Sequence, residues 1–265
     1  MKEEFCLEQY PRFKKAVWKP FDIRWVTECT KRLVCKSAGG VELRKYTDFY
    51  VAGVYRGIAT ACVVGCNLRC IFCWSPLSRD FPELYGEYYS PRDVVEKLEE
   101  LCRRYGIRKA RISCGEPTIC WDHLLGVLDL VEESKYIDLF ILETNGISMA
   151  LNPERVYELK KYRKVYTRIS VKAGTPQGFE FRTGAEGSAL ELQFEAIRLA
   201  KKAGLRFHVA AMTDPRLMQH TERSELVKKL WSIDPVLALS LEEEVVDPYR
   251  ATIIRLREAG VNLRW

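Results

Sequence analysis

The sequence predicts an α/β fold, an open and partial (β/α)6 barrel built on a parallel sheet, with an N-terminal extension. From Gly57 onward, short apolar and β-branched segments alternate with amphipathic segments of helical period, which is typical of β/α units. Six segments have the character of strands, two fewer than a closed eight-stranded barrel requires. The chain of 265 residues is long enough for one large domain of this kind.

Each predicted element rests on a local pattern. Strands are expected at residues 57–65, 109–116, 137–146, 165–174, 205–212 and 236–241. Helices are expected at residues 90–105, 122–134 and 153–161, in a segment that ends at Gly204, and near 248–259. The helix at 90–105 has the clearest limits, because Ser90 is a good N-cap, Pro91 suits the first helical position and Gly106 ends it.

The predicted elements divide the chain into three parts. Residues 1–53 form an N-terminal extension of unknown role, residues 54–215 form the core, and residues 216–265 complete the partial barrel with a last βα unit. In parallel sheets, ligands bind at the carboxyl ends of the strands. Cysteine-rich and polar motifs follow the first four predicted strands, so we expect them to converge on one cavity.

The composition, 47% hydrophobic and 29% charged, is that of a globular protein. No segment is apolar enough to span a membrane, and the polar N-terminus does not resemble a signal peptide. We therefore expect a cytoplasmic protein without a membrane partner. In that compartment the ten cysteines are expected to serve metal or redox chemistry rather than a disulfide framework.

The N-terminal extension is basic and aromatic. Residues 1–53 contain eleven Lys/Arg against seven Asp/Glu, and nine aromatic residues that include Trp18, Trp25 and Tyr50. Such interleaving is typical of surfaces that bind single-stranded nucleic acid. A small subdomain with a core of its own explains the same composition, and on charge alone we favour it.

The segment GCNLRCIFCWS (65–75) places Cys66, Cys70 and Cys73 in a loop directly after the first predicted strand of the barrel. Three thiolates leave one coordination position open, whereas a structural zinc site or a closed iron–sulfur cluster takes four protein ligands. Cys62 is the nearest candidate for a fourth ligand, although it would have to bend out of its strand. The three histidines are distant in sequence, and a second metal site at Cys6, Cys29 and Cys35 would have unusually wide spacing.

The Cys-x3-Cys-x2-Cys loop resembles that of the radical S-adenosylmethionine (SAM) superfamily. The resemblance implies that Cys66, Cys70 and Cys73 hold a 4Fe-4S cluster and that SAM binds its fourth iron. It also implies that an electron from the cluster cleaves SAM and yields a 5′-deoxyadenosyl radical that abstracts hydrogen from a substrate. Phe72 and Trp74 would then form an apolar cover over the cofactors.

Three further motifs carry the same resemblance. CGEPT (114–118) is similar to the superfamily's Gly-Gly-Glu-Pro segment, ETNG (143–146) to an Asp/Glu-Thr-Asn-Gly element, and SVKAG (170–174) to an Asp-Leu-Lys segment. Two positions depart from the family, since Cys114 replaces a glycine and Ser170 an aspartate. By this resemblance, the residues that bind SAM would be Phe72, Gly115, Glu116, Thr144, Asn145, Lys172 and His208.

The segment FRTGAEG (181–187) resembles the Thr-Gly loop of glycyl-radical-enzyme activating enzymes, exemplified by pyruvate formate-lyase activating enzyme. This resemblance implies an oxidoreductase that abstracts hydrogen from a protein or peptide, with ferredoxin or flavodoxin as electron donor. Two alternatives stay open: radical modification of RNA, and a non-catalytic iron–sulfur electron-transfer or zinc protein. The sequence assigns no catalytic residue.

Overall fold

The structure, a computed structural model, describes residues 3–12, 15 and 19–265, so Trp18 lies outside the described residues. The strands are β1 (Cys35–Ala38), β2 (Val41–Ala52), β3 (Ile58–Val63), β4 (Glu87–Tyr89), β5 (Lys109–Ser113), β6 (Leu139–Thr144), β7 (Val165–Val171), β8 (Phe207–Met212) and β9 (Glu242–Glu244). The helices are α1 (Glu3–Gln9), α2 (Ile23–Val34), α3 (Pro76–Asp80), α4 (Pro91–Tyr105), α5 (Trp121–Glu133), α6 (Ile147–Leu151), α7 (Pro153–Glu158), α8 (Pro176–Thr183), α9 (Leu190–Lys202), α10 (His220–Ile233), α11 (Pro235–Leu239) and α12 (Arg250–Glu258). None of the helices within these ranges has the length and hydropathy of a membrane span.

The strands form one sheet in the order β1-β2-β3-β5-β6-β7-β8-β9, with β4 paired to β2. The six strands from β3 to β9 along this order run parallel, whereas β1, β2 and β4 add antiparallel pairs at one end. Helices between the parallel strands cover the sheet, which gives the open, partial α/β barrel that the alternation predicts. The predicted fold class is therefore confirmed.

Helix α4 shows how local sequence determines an element. Ser90 and Asp93 form a reciprocal capping box, with the Ser90 hydroxyl accepting from the Asp93 amide at 3.2 Å. The helix ends at Gly106, whose φ of 64° lies in the left-handed region that favours glycine. Its buried residues, among them Val94 and Leu98, pack against the sheet, and each such side chain contributes about 1.5–3 kcal/mol on burial.

The sixth parallel strand was predicted at residues 236–241, and this prediction is wrong. Those residues form most of α11, because the Asp234 carboxylate accepts from the Val236 amide at 2.9 Å and Pro235 suits the first turn. The strand is β9, three glutamates that carry no apolar signal. Their carboxylates pair instead with Arg168 and Arg223.

The described residues of the N-terminal extension share the apolar core of the barrel. The long strand β2 pairs with β3 along its second half, so the sheet continues without a break into the extension. Val26 and Leu33 of α2 belong to the same apolar cluster as Ala59 and Val63 of β3. Helix α2 thus packs behind the first parallel strand and the loop that follows it.

Six of the ten cysteines are paired, contrary to the expectation from composition. The disulfides join Cys6 to Cys29, Cys35 to Cys120 and Cys62 to Cys114, with Cα–Cα distances of 5.4, 6.1 and 5.1 Å, within the normal range. The pairs lie 23, 85 and 52 residues apart in sequence, so composition carried no sign of them. The paired state removes Cys62 as a fourth cluster ligand and Cys6, Cys29 and Cys35 as a second metal site.

Candidate cluster and cofactor site

The loop after β3 carries the three predicted cluster ligands as free thiols. Cys70 is buried, and Cys66 and Cys73 are half-buried. The loop is held by backbone hydrogen bonds from the Arg69 amide to the Thr183 carbonyl and from the Ile71 amide to the Arg182 carbonyl, both 2.9 Å. The predicted Thr-Gly loop therefore lies directly against the cysteine loop.

The back of the cysteine loop rests on a buried group of charges, which we call the arginine layer: Asp80 with Arg69, Arg79 and Arg255 around it. Arg79 and Arg255 bind the Asp80 carboxylate at 2.8 and 2.6 Å, and Arg69 lies 3.7 Å from it. All four side chains are at most 4% exposed. Three arginines and one aspartate leave two positive charges, which favours negatively charged ligands on the loop.

Two of these arginines also hold the loop in shape. Arg69 donates to the carbonyl of Cys66 at 2.6 Å, and Arg79 donates to the carbonyl of Cys70 at 3.0 Å. Burial, together with the charge of Glu116, raises the pKa of the Cys66 thiol to about 12. Burial also raises the pKa of the Cys70 thiol, although Lys172 opposes the effect. A bound cation would favour the thiolate form at both positions.

Glu116 organises the carboxyl ends of β5 and β6. Its fully buried carboxylate accepts hydrogen bonds from the hydroxyls of Thr118 and Thr144 at 2.6 and 2.7 Å. It also accepts from the backbone amides of Thr118 and Asn145 at 3.1 and 2.7 Å. The sequence predicted Glu116 as a residue that binds SAM, and in the structure both of its carboxylate oxygens accept hydrogen bonds within the protein. A Cβ at Gly115 would overlap the carbonyl oxygens of Gly65 and Val63, so the glycine permits close packing against the cysteine loop.

Asn145 connects this group to the cysteine loop. Its amide donates to Asn67 Oδ1 at 2.8 Å and to Cys66 Sγ at 3.7 Å. Asn67 in turn donates to Thr27 of α2 at 2.9 Å, which ties the N-terminal extension to the same site. Hydrogen bonds thus join the end of β6, the cysteine loop and α2.

Gln193 of α9 is a buried residue of the site that sequence reasoning missed. Its amide nitrogen donates to the carbonyl of Asn145 at 2.7 Å and to that of Ser170 at 3.1 Å. Its oxygen accepts from the Lys172 amide at 2.9 Å. A glutamine on the apolar face of an amphipathic helix was the only sign of this role. The buried Asp80 was missed as well, because nothing local distinguishes it from a surface aspartate.

Lys172 lies near the cysteine loop, and the side chains that follow it toward the lumen, the interior of the partial barrel, are polar. The Lys172 ammonium donates to the Ser170 hydroxyl, which donates to Glu244 at 2.9 Å. Deeper along the strands, Arg111 pairs with Glu143 at 2.8 Å and Arg168 with Glu242 at 2.8 Å. Glu143 is thus already neutralised by an arginine.

Three further residues that the sequence predicted around the cofactors are His208, Phe72 and Trp74. His208 lies near the start of β8, about 13 Å along the strand from its carboxyl end, where it binds Glu242 at 2.6 Å and its ring lies tilted against that of Tyr166. Phe72 packs on both apolar clusters beside the loop. Trp74 is 45% exposed and does not cover the site.

The donor set fits the cofactors that the motifs imply. Within the described residues the free cysteines are the three loop thiols and Cys102, which lies on α4 and donates to the Lys109 carbonyl at 3.8 Å. The loop therefore offers three free thiols and no fourth within the same loop, as an open cluster requires. The arginine layer supplies positive charge behind them.

A family model described as "Radical SAM superfamily" matches residues 61–222. The chain is 31% identical over 142 residues to a probable GTP 3′,8-cyclase of Thermoplasma volcanium. The aligned segment covers 53% of this chain and 39% of the relative. It is also 29% identical over 157 residues to 7-carboxy-7-deazaguanine synthase of Methanothermobacter thermautotrophicus. This alignment covers 57% of this chain and 59% of the relative. The matched segment thus spans about two fifths to three fifths of these relatives.

Two solved structures have a similar fold. Streptococcus suis SuiB bound to S-adenosylmethionine superposes with a TM-score of 0.54 at 16% identity, covering 74% of this chain and 44% of SuiB. A radical SAM methyltransferase from Sphaerobacter thermophilus superposes with a TM-score of 0.52 at 14% identity. The superposition covers 85% of this chain and 73% of the methyltransferase. Both support the partial barrel.

Proposed function

Since the chain belongs to the radical SAM superfamily, we propose that it abstracts a hydrogen atom from a polar substrate held in the lumen of the partial barrel. It is a radical SAM enzyme whose cofactors are a 4Fe-4S cluster and SAM. When bound, these cofactors supply a 5′-deoxyadenosyl radical by one-electron cleavage of SAM. The observation that carries the proposal is the loop of three free thiols, of which Cys66 accepts a hydrogen bond from Asn145, a residue whose backbone amide donates to the buried Glu116.

The protein's own residues would bind, orient and shield. Cys66, Cys70 and Cys73 would hold the cluster, with the arginine layer supporting its negative charge. Thr144 and Asn145, fixed by Glu116, would present polar groups toward SAM, and Lys172 would pair with its carboxylate. A ferredoxin or flavodoxin would supply the electron.

For the substrate we propose a purine-derived compound. The two relatives are named for GTP and for a deazaguanine. The lumen offers Arg111 with Glu143 and Arg168 with Glu242, and such groups make paired hydrogen bonds to the edges of bases. Each arginine is already paired with a carboxylate, which suits a base or nucleoside better than a bare triphosphate.

A protein or peptide substrate with a reacting glycine is the second candidate. It is favoured by the Thr-Gly loop, which hydrogen-bonds to the cysteine loop through Thr183 and Arg182. RNA modification has weaker support, because helix α2 of the basic extension is largely used in packing.

The substrate proposal is tested by deuterium transfer. Reconstituted, reduced enzyme is incubated with SAM and uniformly deuterated guanosine or GTP, and separately with a deuterated glycine-containing peptide. Deuterium in 5′-deoxyadenosine from a purine supports the proposal. Deuterium from the peptide alone would replace it with the second candidate.

A further inference from the structure

Arg44 is a buried cation without a carboxylate partner. It is 1% exposed, and burial lowers its pKa to about 10, which leaves it charged at neutral pH. No carboxylate of the described residues forms an ion pair with it. One terminal nitrogen donates to the carbonyls of Val64 and Glu116 at 2.6 and 3.3 Å. An unpaired buried charge is costly, so its other partners need an explanation.

Those other partners are the two sulfurs of one disulfide. The second terminal nitrogen of Arg44 lies 3.0 Å from Cys120 Sγ and 3.6 Å from Cys35 Sγ. Cys120 is fully buried and is the N-cap residue of α5, where the helix dipole favours negative charge. Cys35 is half-buried at the end of α2. The two cysteines thus differ in burial, and the sulfur of Cys120 lies nearer to Arg44.

We propose that Cys35–Cys120 is a redox-active disulfide, opened by a dithiol reductant at Cys35 with Cys120 released as a thiolate beside Arg44. A thiolate of the reductant attacks Cys35 Sγ, the S–S bond breaks, and its electron pair stays on Cys120. The second thiol of the reductant then displaces Cys35, which takes up a proton. The disulfide gains two electrons, the reductant becomes a disulfide, and its remaining proton goes to water.

The chain contains a matched reference pair. Cys6 and Cys29 are both fully buried. A reductant therefore reaches that pair only when the surrounding structure opens. It should require stronger reducing conditions than Cys35–Cys120.

The test is a redox titration of the cluster-loaded protein in buffers of reduced and oxidised dithiothreitol, with alkylation and peptide mass spectrometry of each pair. We expect Cys35–Cys120 to be half reduced at a ratio of reduced to oxidised reagent at least tenfold lower than Cys6–Cys29. Arg44→Met should raise the ratio needed about tenfold, equivalent to about 30 mV, and Arg44→Lys should raise it less.

Equal ratios for the two pairs, or reduction only when the protein unfolds, would overturn the proposal. The comparison of the two pairs needs no variant, so it holds even where Arg44→Met fails to fold. Glu42 lies within 4.8 Å of both sulfurs, and stoichiometric retention of Zn²⁺ by the reduced protein would show a metal site instead. The titration measures only the oxidation state of the cysteines, so its result does not depend on whether the protein cleaves SAM.

Discussion

At the scale of single residues, the candidate site depends on groups whose charges are fixed by hydrogen bonds. Glu116 was predicted from its motif, yet its four donors within the protein were not visible in the sequence. The motif identifies the residue, but only the fold brings β5 and β6 together around it. Gln193, from a helix without any motif, illustrates the same limit.

Glu116→Gln should destabilise the protein by about 2–3 kcal/mol, because the amide loses charge-assisted hydrogen bonds and presents a donor to other donors. Urea unfolding at pH 7 measures the effect. Glu225→Gln, in an exposed pair with Lys228, is the matched control and should leave the unfolding free energy almost unchanged, because solvent screens that pair. Similar values for both variants would contradict the structural role of Glu116.

His123 predicts a pH dependence of stability. Burial, aided by the charge of Arg44, lowers its pKa from 6.5 to about 4. The neutral ring is held between the Glu42 carbonyl at 3.0 Å and the Tyr46 hydroxyl at 2.9 Å. Between these pKa values the unfolded chain binds more protons than the folded protein, so stability is full above pH 6.5 and falls as the pH drops toward 4.

The loss assigned to His123 is about 3 kcal/mol between pH 7 and pH 4. Urea midpoints across this range should show a smaller slope for His123→Gln than for the wild-type protein. His220→Gln, at an exposed position, should keep the wild-type slope. Equal slopes for all three proteins would mean that His123 is not the titrating group.

At the scale of elements, the predictions succeeded where apolar period and turn chemistry agree. Helix α4 has both and begins at the predicted N-cap. Strand β9 has neither, since its three glutamates are held by arginines from other elements. Charge pairing across elements is invisible to a local pattern, and the arginine layer behind the cysteine loop was missed for the same reason.

Asp80→Asn should be strongly destabilising, because it removes the carboxylate charge around which three buried arginines lie. We expect a loss of about 3–5 kcal/mol in the free energy of unfolding. Asp138→Asn, which breaks an exposed pair with Arg108, is the control and should have a much smaller effect, because solvent screens that pair. Chemical unfolding of both variants provides the comparison, and a small effect at Asp80 would rule out the arginine layer as a support of the loop.

At the scale of the whole molecule, one sheet collects motifs that are more than a hundred residues apart. Alternating β/α units and four motifs sufficed to predict the fold class and the edge at which the site lies. The continuation of the sheet into the N-terminal extension and the three disulfides depend on contacts between distant segments. Composition could not reveal them, and the cellular compartment argued against the disulfides.

The most direct test of the whole assignment is anaerobic reconstitution of the wild-type protein, Cys70→Ala and Cys102→Ala with iron and sulfide. Iron content and 5′-deoxyadenosine are measured after reduction in the presence of SAM. We expect about four irons per chain and SAM cleavage in the wild type and in Cys102→Ala, and neither in Cys70→Ala, which should remain folded by circular dichroism. SAM cleavage by Cys70→Ala at the wild-type rate would contradict the assignment of the cysteine loop as the cluster site.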